Sequence, residues 1–211
     1  MQNNSDQPNP NLSQTGNMAP QFNHGGHEIF DAREVLSLAV GVLDQYTMFR
    51  EQIKDQQLKG ILDRQFEFLK EEYNVTLETF TTGKKPSHSM VSYNMAMEND
   101  TVYGLTPMPP VKPVQSANEI NDQGISGYML GLVKSGASLK AMTALEMTNP
   151  VLRRVVADSV PNWIEMAYEL FLYQNKHHYY QVPQLSQQDM QQLLNSYSPA
   201  SGTPNSNNMM Q

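Results

Sequence analysis

An apolar stripe constrains this chain more than any other feature. Ala32, Val35, Ala39, Val42, Tyr46, Phe49 and Ile53 follow one another at alternating steps of three and four residues. That spacing lines one face of an α-helix and cannot line one face of a strand. After the polar break Lys54-Asp55-Gln56-Gln57 a second stripe begins: Leu58, Leu62, Phe66, Leu69, Tyr73, Leu77 and Phe80. It stops before Gly83 and Pro86, residues that end helices rather than extend them. Asp31-Ala32-Arg33-Glu34 has the spacing of a capping box, so the first helix is expected to open there.

A second pair of helices follows. The third helix is expected to start between Ser116 and Asp122, with a stripe of Ile125, Tyr128/Met129, Leu132, Gly136, Leu139 and Met142/Thr143. Its glycines at 124, 127, 131 and 136 each lower helix propensity by about 1 kcal/mol. Close approach of a neighbouring helix is the expected compensation, and the small-residue faces Ser37/Gly41 and Gly127/Gly131 are candidates for it, within one chain or between chains. Asn149 and Pro150 then have the types preferred at the N-cap and first position of a fourth helix, running to Tyr173–Lys176. Pro161 lies inside it and leaves the Ala157 carbonyl without its helical donor, which predicts a kink. Ser186 to Asn195 has the look of a short terminal helix.

Asp55-Gln-Gln-Leu58-Lys59 is echoed by Asn149-Pro-Val-Leu152-Arg153. Each half therefore reads as a helical hairpin, and two hairpins bury their stripes against each other as a four-helix bundle. The connection from Thr81 to about Pro113 is far longer than an ordinary inter-helix loop. A crossover running the length of the bundle would make the second and third helices parallel. The expected fold class is thus all-α: a ferritin-like four-helix bundle with a short C-terminal helix and disordered tails. The chain divides into an Asn/Gln/Pro-rich tail (1–24), a first hairpin (25–83), the crossover (84–117), a second hairpin with its terminal helix (118–195) and a tail (196–211). The tails have too few large apolar residues to offset the entropy of ordering them.

Composition narrows function by exclusion. The net charge is −7 with no basic run, so binding to a nucleic-acid backbone is not expected. Cysteine is absent, which removes disulfides, thiolate zinc sites, iron–sulfur clusters and thiol nucleophiles. The N-terminus lacks a secretory signal pattern and no apolar run approaches about 20 residues, so synthesis in the cytoplasm without an integral membrane segment is expected.

A ferritin-like bundle invites a search for a carboxylate-bridged metal pair, which needs Glu-x-x-His on two helices. Glu71 and Glu72 are followed at that spacing by Asn74 and Val75, and Glu165 and Glu169 by Tyr168 and Leu172. No such pair exists. His24-Gly25-Gly26-His27-Glu28 has ligand types, but its glycines leave them unorganised, and a solvated linker is the expected reading. In Asn175-Lys-His-His-Tyr-Tyr-Gln-Val-Pro183, adjacent histidines point about 100° apart on a helix and cannot share an ion. Lys176, His177 and His178 instead suit the negative end of a helix dipole, Tyr179 and Tyr180 can fold back on the bundle, and Pro183 stops the helix. Lys134 could be a buried base paired with Glu146 or Asp44, although snorkelling to the surface is commoner. There is no nucleophile elbow, phosphate-binding glycine loop or zinc-protease motif. The 14 methionines are more simply core filler than a redox or copper site. No catalytic, cofactor-binding or metal residues are assigned, and no cofactor is expected.

The run from Asn149 to Gln181, NPVLRRVVADSVPNWIEMAYELFLYQNKHHYYQ, resembles the end of the coat F domain of Bacillus-type spore formers. There a helix opens with Asn-Pro-x-Leu-Arg and ends in a short motif, usually Gly-Trp-Tyr, whose place is taken here by His178-Tyr179-Tyr180. The region from Asn118 to Glu146 is similar to the domain's preceding helix, and the first hairpin resembles a weaker copy. The resemblance implies a ferritin-like bundle without an established catalytic site, located in the endospore coat or forespore. Other spore proteins or further copies of the chain are the implied partners, and no small-molecule substrate is implied. A metal-binding or oxidoreductase role on the same fold is the alternative, disfavoured by the missing Glu-x-x-His pairs. Gln2, Gln7, Gln14, Gln21 and Gln211, together with scattered lysines, raise the further expectation of Gln–Lys cross-linking.

Overall fold

The computed structural model describes Ala19 and residues 22–200. The expectation of disordered tails (1–24 and 196–211) falls mostly on residues outside that range; within it, His24 is not disordered but is held by Glu28 and the Phe80 carbonyl. Among the described residues five α-helices form: α1 (Gly26–Arg50), α2 (Gln56–Thr82), α3 (Asp122–Ala144), α4 (Pro150–Lys176) and α5 (Gln187–Leu194). The first stripe lies in the core as its spacing requires, with Ala32, Val35, Ala39, Val42, Tyr46 and Ile53 buried. Asp55 caps α2 by accepting from the Gln57 amide, and Gly83 ends it in the left-handed conformation at φ 62°. Asn149 caps α4 by accepting from the Val151 and Leu152 amides, with Pro150 in the first turn.

Helix–helix contacts and hydrogen bonds fix the topology. α1 packs on α2 and α3, while α4 packs on α3 and α2. At one end of the bundle the start of α1 meets the end of α2 and the start of α4: His24 bonds the Phe80 carbonyl, and Glu28 accepts from the Asn149 amide. At the other end Asp122 of α3 accepts from the Lys54 and Asp55 amides ahead of α2, and Tyr173 of α4 donates to Asp55. Hence α2 and α3 run parallel on opposite corners, the ferritin-like arrangement expected from the long crossover.

The crossover (83–121) is strapped along α4 by that helix's own polar side chains. Asn162 accepts from the Tyr93 amide, Glu169 from the Ala96 amide, and Asn175 both accepts from and donates to the Val102 backbone. Gln181 does the same for Thr106, and Gly104 donates to the Val182 carbonyl. An extended backbone leaves its amides and carbonyls unpaired, and buried ones need partners. The periodic Asn and Glu of α4 supply them.

Three expectations are corrected. α1 begins at Gly26 rather than Asp31, because Glu28 is anchored to the opposite hairpin and draws the helix start back to it. Asp31 is therefore inside the helix and no capping box forms. Second, α3 buries more than its expected stripe. Ile125, Met129, Gly136 and Thr143 of that stripe are buried, and so are Leu130, Val133 and Lys140 outside it, whereas Tyr128 and Met142 are exposed. Being wedged between α1 and α4, α3 buries a wider face than one stripe. Third, Gly131 has nothing within 4 Å of a built Cβ and Gly127 meets only the end of the Gln174 side chain at 3.6 Å, so the Gly127/Gly131 face is not the close helix contact. Gly136 is, lying against the Trp163 ring. α4 remains one helix through Pro161.

Candidate functional site

Three buried glutamates organise the polar interior. Glu28, on the first turn of α1, accepts from the Thr148 amide at 2.5 Å and the Asn149 amide at 2.8 Å, and from the Thr148 hydroxyl. Its other oxygen lies 2.5 Å from Nδ1 of His24, whose Nε2 lies 3.0 Å from the Phe80 carbonyl. A carbonyl can only accept, so Nε2 carries a proton. Burial alone would raise the Glu28 carboxyl, but the bonds from Thr148, His24 and Asn149 outweigh it and hold the group below the ordinary glutamate range.

Glu72 of α2 faces Lys140 of α3 and Trp163 of α4. The Lys140 ammonium is 2.5 Å from Oε1, and the indole Nε1 donates to both carboxylate oxygens at 2.9 Å. Lys140 also lies 5.3 Å from the Trp163 ring centre, within cation–π range. The lysine is 1% and the glutamate 2% exposed, so this ion pair is part of the core.

Glu169 of α4 is gripped by the Arg64 guanidinium, the Tyr93 hydroxyl and the Ala96 amide. Burial and the Glu169 charge push the Tyr93 hydroxyl well above the ordinary tyrosine range. Beside it Tyr46 donates to Gln65 at 2.8 Å, and Gln65 donates to the Met166 carbonyl at 3.1 Å. Complete burial, together with Tyr93 and Glu169, raises Tyr46 as well.

The residues singled out in the sequence meet different fates. His24 and Glu28 do come together, but in a helix anchor rather than a solvated linker. His27 is turned out to solvent, 3.7 Å from Asp31 and Glu146. Lys134 is exposed, over the Tyr180 ring at 5.3 Å, and pairs with neither Glu146 nor Asp44. The buried lysine is Lys140, whose position on the face of Val133 and Gly136 could have revealed it. Glu72 and Gln65 likewise lie among buried apolar neighbours on α2.

The fold class raises the question of a carboxylate-bridged metal pair, and the donor set does not fit one. The lone pairs of Glu72 and Glu169 are already engaged by an ammonium, a guanidinium, an indole, a phenol and an amide. Among the described residues no three His, Asp or Glu side chains converge. What this arrangement does chemically is hold helices: each buried carboxylate joins elements distant in sequence.

Residues 121–183 match the family model of the Coat F domain. That span opens at Asn121, the N-cap of α3, and closes at Pro183. The chain is also similar to the spore coat protein F-like protein YhcQ of Bacillus subtilis, 54% identical over 178 residues that cover 84% of this chain and 82% of the relative.

The chain belongs to the coat F family.

A solved crystal structure of a candidate spore coat protein from Bacillus halodurans shares the fold, with a TM-score of 0.56 and 18% identity over 79% of this chain and 98% of that one. With the family in view, the histidine pair has a structural reading. His177 is the C-cap of α4, and His178 has φ 58°. Its amide bonds the Asn175 carbonyl and the Tyr179 amide reaches back to Gln174 at 2.8 Å, a Schellman motif. His178 thus occupies the left-handed position where the coat F motif usually has glycine. Among the described residues no helix is long and apolar enough to cross a membrane.

Proposed function

We propose that this coat F chain is a non-catalytic structural and interaction protein of the bacterial endospore, associated with the coat. Its helical bundle serves as a module, and its low-complexity tails and exposed faces contact other spore proteins or further copies of itself. The observation that carries this reading is the use made of the interior charges: Glu72 and Glu169 are engaged by donors from other helices and the crossover, and Glu28 by His24 and the turn between α3 and α4. Chemistry that an enzyme would spend on a substrate is spent here on fixing a scaffold.

A fluorescent fusion expressed from the native promoter in a sporulating cell tests the location. Signal at the coat, with recovery of the protein in coat extracts, is expected; uniform signal in vegetative cytoplasm would overturn the assignment. Elemental analysis of tag-free protein produced with iron, manganese and zinc available tests the non-catalytic part. Less than about a tenth of an equivalent is expected, and a full equivalent would return the metal-binding alternative. Isopeptide-linked peptides from Gln2, Gln7, Gln14, Gln21 or Gln211 in spore digests would establish cross-linking of the tails.

A further inference from the structure

α5 is a formed helix with nothing over it. Ser186 caps it by accepting from the Asp189 amide, yet no residue of the helix is buried. Met190, Leu193, Leu194 and Tyr197 recur at helical spacing and are all exposed, Leu194 at 70%. An eight-residue helix is marginal in water without a packing partner. The same chain carries a second uncovered apolar surface in the later part of the crossover. Leu105, Met108, Val111 and Val114 are exposed, Val111 at 84%. Met108, Val111 and Val114 border an open cleft of about 940 Å³ whose lining also includes Tyr128, His178 and Tyr179.

We infer that α5 of one copy docks on this crossover ledge of a second copy, and reciprocally, to form a two-fold dimer. Two observations choose this occupant. The first is charge. Between Val182 and Ala200 the single charged residue is Asp189, and between Thr101 and Asn118 it is Lys112. The other residues of both segments are uncharged, and the two lone charges are opposite. Glu119 adds a negative charge to the cleft wall beyond the ledge, where it accepts from the Gln115 amide and the Ser116 hydroxyl of its own turn.

The second is area. A large aliphatic side chain removes roughly 60–120 Å² of apolar surface on burial. One docking event would bury too little for a stable complex, but two related by a two-fold axis bury on the order of 1,000–1,900 Å², the range of a specific dimer. Docking within one chain is opposed by the exit of the linker. Gln181 and Val182 are pinned to Thr106 and Gly104, and Pro183 follows directly. The inference names one partner for the interaction module proposed above and rests on that reading. Its test uses purified protein, so its failure is distinguishable from a failure of spore location.

Sedimentation equilibrium of the full chain at micromolar concentration is expected to give a dimer. Leu193→Ser with Leu194→Ser should weaken association at least tenfold while circular dichroism of the bundle is unchanged, since both side chains are exposed. Lys112→Glu and Asp189→Lys should each weaken it severalfold, and an equimolar mixture of these two variants should recover the wild-type dimer, because both contacts then pair opposite charges. A chain that stays monomeric at every concentration overturns the inference, including the case in which α5 folds onto its own ledge. So does a mixture that fails to recover.

Discussion

Gly136 of α3 lies directly against the indole of Trp163 on α4: a Cβ built on the glycine would fall 1.9 Å from Cζ3 and 2.4 Å from Cε3. Neither helix can retreat, because Lys140 one turn along α3 is tied to Glu72, and the same indole donates to Glu72. Gly136→Ala should therefore destabilise the bundle by about 1–3 kcal/mol or more through overpacking. Gly131→Ala, one of the replacements at an open glycine, should instead stabilise it by about 0.5–1 kcal/mol. Urea denaturation of the two variants checks both signs, and equal effects would place the helix contact elsewhere.

The Lys140–Glu72 pair should behave as a buried ion pair, costly to break and cheap to replace. Lys140→Met leaves a carboxylate in the core with only the indole for a partner, and a loss of about 3–5 kcal/mol is expected. Adding Glu72→Leu to that variant removes the stranded charge and should recover most of the loss. The double-mutant cycle in urea measures the coupling; additive losses would mean that the two side chains do not meet in solution.

His178 adopts the left-handed conformation without being glycine. For an L-residue that conformation costs roughly 1–2 kcal/mol, and glycine is free of the penalty. His178→Gly should raise stability by about 1 kcal/mol, while His178→Val should lower it. Thermal unfolding monitored by circular dichroism gives both shifts, and a glycine variant no more stable than wild type would rule out this cap geometry.

Glu28 links stability to acid. Its folded carboxyl is held below the ordinary glutamate value of about 4.5. Its contribution is therefore complete above about pH 4.5 and is lost as pH falls through the lower folded value. Glu28→Gln should be less stable at neutral pH and should show a shallower fall in stability below pH 4.5. Parallel slopes for the two proteins between pH 5 and pH 3 would contradict the anchor.

Two hairpins were legible from local pattern alone. The residues that end or cap the helices, Asp55, Gly83 and Asn149, have side chains or backbone freedom that act within a few residues of themselves, so their roles survive in the sequence. The same holds for the stripe from Ala32 to Ile53, since a helix presents one face whatever packs on it. The length of the crossover also carried information, because only a bundle-length return accommodates it.

Tertiary structure decided the rest, and the reason is range. Whether Lys140 is a surface or a core residue depends on Glu72 and Trp163, which lie on two other helices. Whether Glu28 begins a helix or sits in a linker depends on Thr148 and Asn149 at the far end of the second hairpin. Asn162, Glu169 and Asn175 read as an ordinary polar face until the crossover is laid against them. Apolar periodicity is a property of one helix and can be read from one helix. Burial of a polar group is stable only with its partner, and here each partner belongs to another part of the chain.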